Sequence, residues 1–124
     1  MDNVLDIQRQ CIADSEEWFP KTSHDLVYMG LALSGEVGEF CNKLKKVERG
    51  SVDLDSEARL ELILELTDVF IYLCNCAAIL NADLGKAYDY KRKVNIGRFS
   101  REDAGAPNGV LSIVQPPDGE GEVL

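Results

Sequence analysis

Four carboxylates set in two pairs at three-residue spacing are the groups in this chain best placed to do chemistry: Glu36 and Glu39 in "GEVGE", Glu65 and Asp68 in "ELTD". On a helix a step of three residues turns by about 60°, so each pair shares a face. Between Leu60 and Leu80 the only polar residues are Glu61, Glu65, Thr67, Asp68 and Asn75. Of these, Glu61, Glu65, Asp68 and Asn75 fall within an arc of about 80°. A solvated acidic stripe normally mixes lysine or arginine among its acids at i, i+4, and no base occurs in this run. Carboxylates crowded on an apolar helix raise one another's pKa unless something positive sits between them. Two such helices side by side would converge four acids, and oxygen ligands alone suit a hard cation, Mg2+ or Mn2+. His24 is the single histidine, so a di-iron centre built on two Glu-x-x-His pairs is excluded. Cys11, Cys41, Cys74 and Cys76 form no C-x-x-C pair, which argues for reduced, packed thiols over zinc.

Cations follow the acids. Lys43 and Lys46 lie four and seven residues after Glu39, and Lys91, Asn95 and Arg98 share an arc of about 60° on a later helix. Metal on one side and ammonium or guanidinium on the other would hold a phosphorylated ligand. Taken alone, the lysines equally suit a solvated face. Gly35 and Gly38 sit inside the helix that carries Glu36 and Glu39, where each costs about 1 kcal/mol against alanine. They would admit a close neighbour beside the acids, whether a ligand or a tightly crossing helix.

The elements that must position these residues are four helices. The first contains Val4, Leu5, Ile7, Cys11, Ile12 and Trp18 and ends near Phe19, before Pro20. The second is expected to be capped by Thr22 or Ser23, with His24 and Asp25 read as capping or surface residues, and to stop at Gly50. Asp55 or Ser56 caps the third, which reaches about Leu80, and the fourth runs from Leu84 to about Phe99. The third is apolar enough to be buried nearly all round, with more circumference than three partners can cover, so a second subunit is expected on it. After Arg101 the composition turns to glycine and proline without helical period. Residues 1–101 thus read as one all-α, four-helix bundle-like domain, and 102–124 as a flexible tail in which "VLSIV" is able to pair or dock. At 124 residues, 45% apolar and 28% charged, a second domain has no room. The net charge of −9 disfavours nucleic acid or an anionic membrane as partner. With no export signal or uninterrupted apolar span in view, the expectation is a cytoplasmic protein.

Taken together, "GEVGE", "ELTD" and "KRKVNIGRF" resemble the MazG-type all-α nucleoside triphosphate pyrophosphohydrolases, whose pattern is E-E-x-x-E, a gap, E-x-x-D, and later K-x-x-x-N-x-x-R. The gap here, 25 residues between Glu39 and Glu65, suits that pattern. The resemblance spans Trp18 to Phe99; "WFP", "LALSGEVGEFCNKLKKVERG" and "ELTDVFIYL" look like the short single-domain members from phages and bacteria. The helical end is also similar to dCTP pyrophosphatase. Gly35 stands where the family often has the first of two glutamates, so one acid is missing from the full pattern. The resemblance implies hydrolysis of a (deoxy)nucleoside triphosphate to monophosphate and pyrophosphate, with Mg2+ or Mn2+ on Glu36, Glu39, Glu65 and Asp68. It implies Glu39 as the base acting on water, and Lys43, Lys46, Lys91, Asn95 and Arg98 on the phosphates and sugar. Trp18 and Phe19 would wall the base, the alternative for Trp18 being a staple that holds the first helix. Glu61 and Asn75 would support the ligands from behind. A homodimer or dimer of dimers is implied. Two other readings stay open: an acidic helical module that binds metal or dimerises without turnover, and a related pyrophosphohydrolase acting on phosphoribosyl-ATP or an alarmone. The base, the sugar and the choice between house-cleaning and pool control are not set by the sequence.

Overall fold

A computed structural model describes residues 3–99 and 113–115, and these are all-helical apart from one isolated β-bridge. Helix α1 spans Val4–Trp18, with the Asn3 side chain accepting from the Asp6 N–H at 2.9 Å. It ends where Pro20 forbids continuation. Helix α2 spans Leu26–Glu48 and is capped by Asp25, which accepts from the Tyr28 N–H at 3.0 Å. Thr22 and Ser23, expected as caps, instead form the preceding turn: both N–H groups donate to the Phe19 carbonyl, and Ser23 is buried. Gly50, at φ +77°, makes the left-handed stop. Helix α3 spans Ser56–Ile79 behind the Asp55 cap, and α4 spans Leu84–Phe99.

Helices α2 and α3 form an antiparallel pair with the most extensive contact in the chain, α1 runs antiparallel along α3, and α4 packs on α1. The small core holds Met29, Cys74 and Ala77, with the buried polar residues Gln8, Ser15 and Asn75 threaded through it. The Cys11 and Cys74 thiols bond each other across α1 and α3, and burial pushes the Cys74 thiol up to about 12. Neither has thiolate character at neutral pH, in keeping with a packing role.

Helix α3 departs from its expected burial. Only Ala58, Cys74, Asn75 and Ala77 are buried, and Leu60, Ile63 and Leu64 remain about half exposed. The reason is length: α1 reaches only the C-terminal half of α3, and α2 covers a single side of the rest. Among the described helices α3 alone is long and apolar enough to cross a membrane. Glu65 and Asp68 at its middle oppose that reading, because a carboxylate at bilayer depth costs about 2.5 kcal/mol or more. Leu60, Ile63 and Leu64 thus form an uncovered apolar stripe along α3.

The turn from α3 to α4 is fastened from two sides. Gln8, wholly buried, donates from Nε2 to the Ala82 carbonyl at 2.6 Å and accepts from the Leu84 N–H at 2.9 Å. On the other side the Asp83 N–H donates to the Ile113 carbonyl at 2.6 Å, and the Gln115 N–H to the Asn81 carbonyl at 2.7 Å. Asn81 Nδ2 also donates to the Gln115 carbonyl, at 2.6 Å. Residues 113–115 are therefore a docked strap that includes the end of the "VLSIV" run, the part of the tail expected to be able to pair or dock. Two backbone bonds and an amide, each contributing about 1 kcal/mol net, offset part of the cost of ordering so short a segment. The rest of the expected tail, 102–112 and 116–124, lies outside the described residues.

Candidate metal centre

The antiparallel α2–α3 pair brings three of the four expected acids together. One carboxylate oxygen from each of Glu36, Glu65 and Asp68 lies within 4.8 Å of the others. Glu36 comes from the α2 face turned to α3, and Glu65 and Asp68 from one stripe of α3. The Glu36 carboxyl is held above the usual glutamate range, first by loss of solvent and then by the neighbouring charges of Asp68, Glu65 and Glu39. An acid set that repels itself in this way gains from a cation.

The donor chemistry fits Mg2+ or Mn2+. All three ligands are carboxylate oxygens, and an octahedral hard cation with oxygens at about 2.1 Å would draw the set a little closer. Glu39 is exposed and stands outside the three-oxygen set. It stands 60° around α2 from Glu36, near enough for its charge to help raise the Glu36 carboxyl. Glu61 is exposed and outside the set as well. Lys43 supplies the local positive charge: its ammonium sits 2.8 Å from Glu65, and this bond raises its pKa. Lys46 is exposed.

Lys43 and a metal compete for the same carboxylate, which gives an expected result. Lys43→Met should tighten Mn2+ binding to the nucleotide-free protein by up to about fivefold, the scale of one partly exposed ion pair. Titration calorimetry reads it, and an unchanged affinity would separate Glu65 from the metal set.

Beside the acids a cavity of about 470 Å3 opens between α1, α2 and α3. Glu36 and Asp68 lie at one end, and Trp18, Phe19, Tyr28 and Tyr72 supply aromatic walls. Trp18 is 63% exposed, so it lines the rim and does not act as a buried staple. The Tyr72 phenol is raised by burial, then by Tyr28, Glu36 and Asp68, which places it at the acidic end. Asn75 is buried: it accepts from Ser15 Oγ at 2.9 Å and donates to the Ile71 carbonyl at 3.1 Å. It thus anchors α1 to α3 at the cavity wall. Tyr72 had a legible sequence position, one turn after Asp68 and one before Asn75. Tyr28, Asp14 and Ser15 had none, because only the way the helices pack brings them to the cavity.

Two expectations meet a different arrangement. A Cβ built on Gly35 or Gly38 meets nothing within 4 Å, so within one protomer the glycines admit no close neighbour and face open space. Lys91 and Asn95 line a separate groove of about 280 Å3 with Tyr88 and Arg92, and the Arg98 guanidinium lies 5.2 Å over the Phe99 ring. No α4 residue lines the acidic cavity. The cause is that α4 packs on α1, away from the α2–α3 pair.

With this geometry in view, comparison with protein-family profiles, curated proteins and solved structures finds no match to the chain.

Proposed function

We propose that the chain is a Mg2+-dependent pyrophosphohydrolase that converts a (deoxy)nucleoside triphosphate to the monophosphate and pyrophosphate. The observation that carries this reading is the meeting of Glu36, Glu65 and Asp68 beside an aromatic-walled cavity that Glu36 and Asp68 line. Acids beside aromatic rings suit a ligand that carries both an anionic group and a flat ring.

Glu36, Glu65 and Asp68 would hold Mg2+, which when bound polarises phosphoryl oxygens and acidifies water. Glu39, one turn from Glu36, would orient the attacking water and take its proton. Water adds to the α-phosphorus, and the bond from that phosphorus to the α–β bridging oxygen breaks, releasing pyrophosphate. Trp18 and Tyr28 would stack on or wall the base. Lys43, released from Glu65 as the cation enters, is free to meet a phosphate, with Lys46 further out along α2.

Lys91, Asn95 and Arg98 enter this reading from a second copy. The apolar stripe of Leu60, Ile63 and Leu64 borders the acidic stripe, and covering it with another protomer would remove that surface from water. A homodimer or dimer of dimers would then carry the partner's basic groove to the acids. The reading places the protein in the cytoplasm with its nucleotides.

The test is a panel of natural and modified triphosphates, with and without Mg2+, reading pyrophosphate and orthophosphate separately. The expected products are equimolar monophosphate and pyrophosphate, with Mg2+ required. Saturable Mg2+ binding without any turnover across the panel would sink the enzyme and leave an acidic metal-binding module.

A further inference from the structure

Helix α4 differs from the other described helices in charge. It alone has more bases than acids, Lys86, Lys91, Arg92, Lys93 and Arg98 against Asp89. Helices α1 and α3 are acidic and α2 is balanced, in a chain of net charge −9. The α4 groove of about 280 Å3 is lined by Tyr88, Lys91, Arg92, Asn95 and Ile96, with no carboxylate among them. Among the described residues neither Lys91 nor Arg92 has an ion-pair partner. A cationic groove on an acidic protein calls for an anionic occupant.

The strap brings a segment of that kind to the foot of the helix. The Gln115 N–H donates to the Asn81 carbonyl at 2.7 Å, and Gln115 Nε2 lies 3.5 Å from Asp83 Oδ2, at the turn where α4 begins. The sequence that follows, "PPDGEGEVL", holds Asp118, Glu120 and Glu122 with a glycine between each pair and no base. Side chains alternate along an extended chain, so these three acids share one side at intervals of about 6.7 Å. On a helix face the i, i+4 interval is about 6 Å, close to the same step. From Gln115 the acids reach between about 10 and 24 Å. Lys91 and Asn95 lie about 12 and 18 Å from Asp83 along the α4 axis, within that reach.

We propose that residues 116–124 lie along α4 of their own chain, with Asp118, Glu120 and Glu122 on the groove of Lys91 and Arg92, and so withhold these cations from other anions. The contact itself needs neither metal nor turnover. Its consequence for activity rests on the pyrophosphohydrolase reading above: where Lys91 serves a phosphate, the acidic segment competes with the substrate.

The experiment is carbodiimide cross-linking of the full chain without metal, mapped by mass spectrometry on a mixture of isotope-labelled and unlabelled protein. Carbodiimide joins a carboxylate to a lysine only where the two already meet. The expected product is an amide between Lys91 and Asp118, Glu120 or Glu122 of the same chain, several-fold more abundant than any link from these acids to exposed Lys45 at the other end of α2. It should fall several-fold in about 0.5 M salt and in Arg92→Glu, which puts an acid into the groove. A second arm titrates metal-free tripolyphosphate into the wild type and into the triple variant Asp118→Asn, Glu120→Gln, Glu122→Gln. The variant should bind it about fivefold tighter, the scale of a few exposed ion pairs lost by the competitor. No link to Lys91, links to Lys91 and Lys45 in equal yield, links only between labelled and unlabelled chains, a yield untouched by Arg92→Glu, or equal tripolyphosphate affinity in the two proteins each overturns the proposal. None of these results touches the enzyme reading, which the triphosphate panel decides by itself.

Discussion

Asp68→Asn is expected to abolish triphosphate hydrolysis, lowering kcat by on the order of a thousandfold, equivalent to about 4 kcal/mol of barrier. Asp68 gives one of only three oxygens within 4.8 Å, so losing its charge leaves two carboxylates to hold a hard cation. Glu36→Gln should behave alike. Neither should unfold the protein. Glu36 is pushed up partly by Asp68 and Glu65, so neutralising a member relieves repulsion in the metal-free state. The thermal midpoint without metal should hold or rise slightly, and the rise normally given by Mg2+ should disappear. Wild-type turnover in Asp68→Asn, or its collapse on purification, would remove the carboxylates from the site.

Mixing two inactive variants should restore activity. If the acids of one protomer work with Lys91, Asn95 and Arg98 of the other, Asp68→Asn and Arg98→Ala damage complementary halves of each site. In a mixed dimer one site is intact and the other doubly damaged. Refolding the two together in equal amounts makes about half the dimers mixed, so about a quarter of wild-type activity should return. Each variant refolded alone should stay near zero. No recovery would mean that α4 serves the acids of its own chain or none. Leu64→Glu puts a charge in the uncovered stripe of α3, where Leu64 is 53% exposed, and should leave a folded monomer by light scattering. That monomer should lack activity although its three acids are untouched.

The helices were legible because their ends carry short-range chemistry. Pro20, Asp55 and Gly50 punctuate the chain, and Leu84–Phe99 agrees with its expected bounds. The α2 cap was misplaced because Thr22, Ser23 and Asp25 are all good capping residues, and burial of Ser23 in the turn decides among them. The α3 half of the acidic site was legible from angles within one helix. On α2, angle alone put both Glu36 and Glu39 toward α3, and the way the two helices cross brings only Glu36 into the three-oxygen set. The same limit hid the contribution of α1. Asp14 and Ser15 reach the cavity only because Cys11 meets Cys74 and Ser15 meets Asn75, contacts made between residues about sixty positions apart. Burial of α3 was overestimated because composition reports what a helix would bury and not which neighbours are long enough to cover it.

The strap at Ile113–Gln115 has a mechanical meaning. Among the described residues, the bonds that fasten α4 to other segments gather at its first turn, through Gln8 and the strap, while Phe99 at the far end is 75% exposed. Arg98 lies fourteen residues from Leu84, or about 21 Å along the axis, so a tilt of about 10° at the turn swings it by nearly 4 Å. That displacement exceeds the tolerance of a hydrogen bond. Helix α4 is a pointer held at its base, and residues 113–115 are part of what fixes its direction.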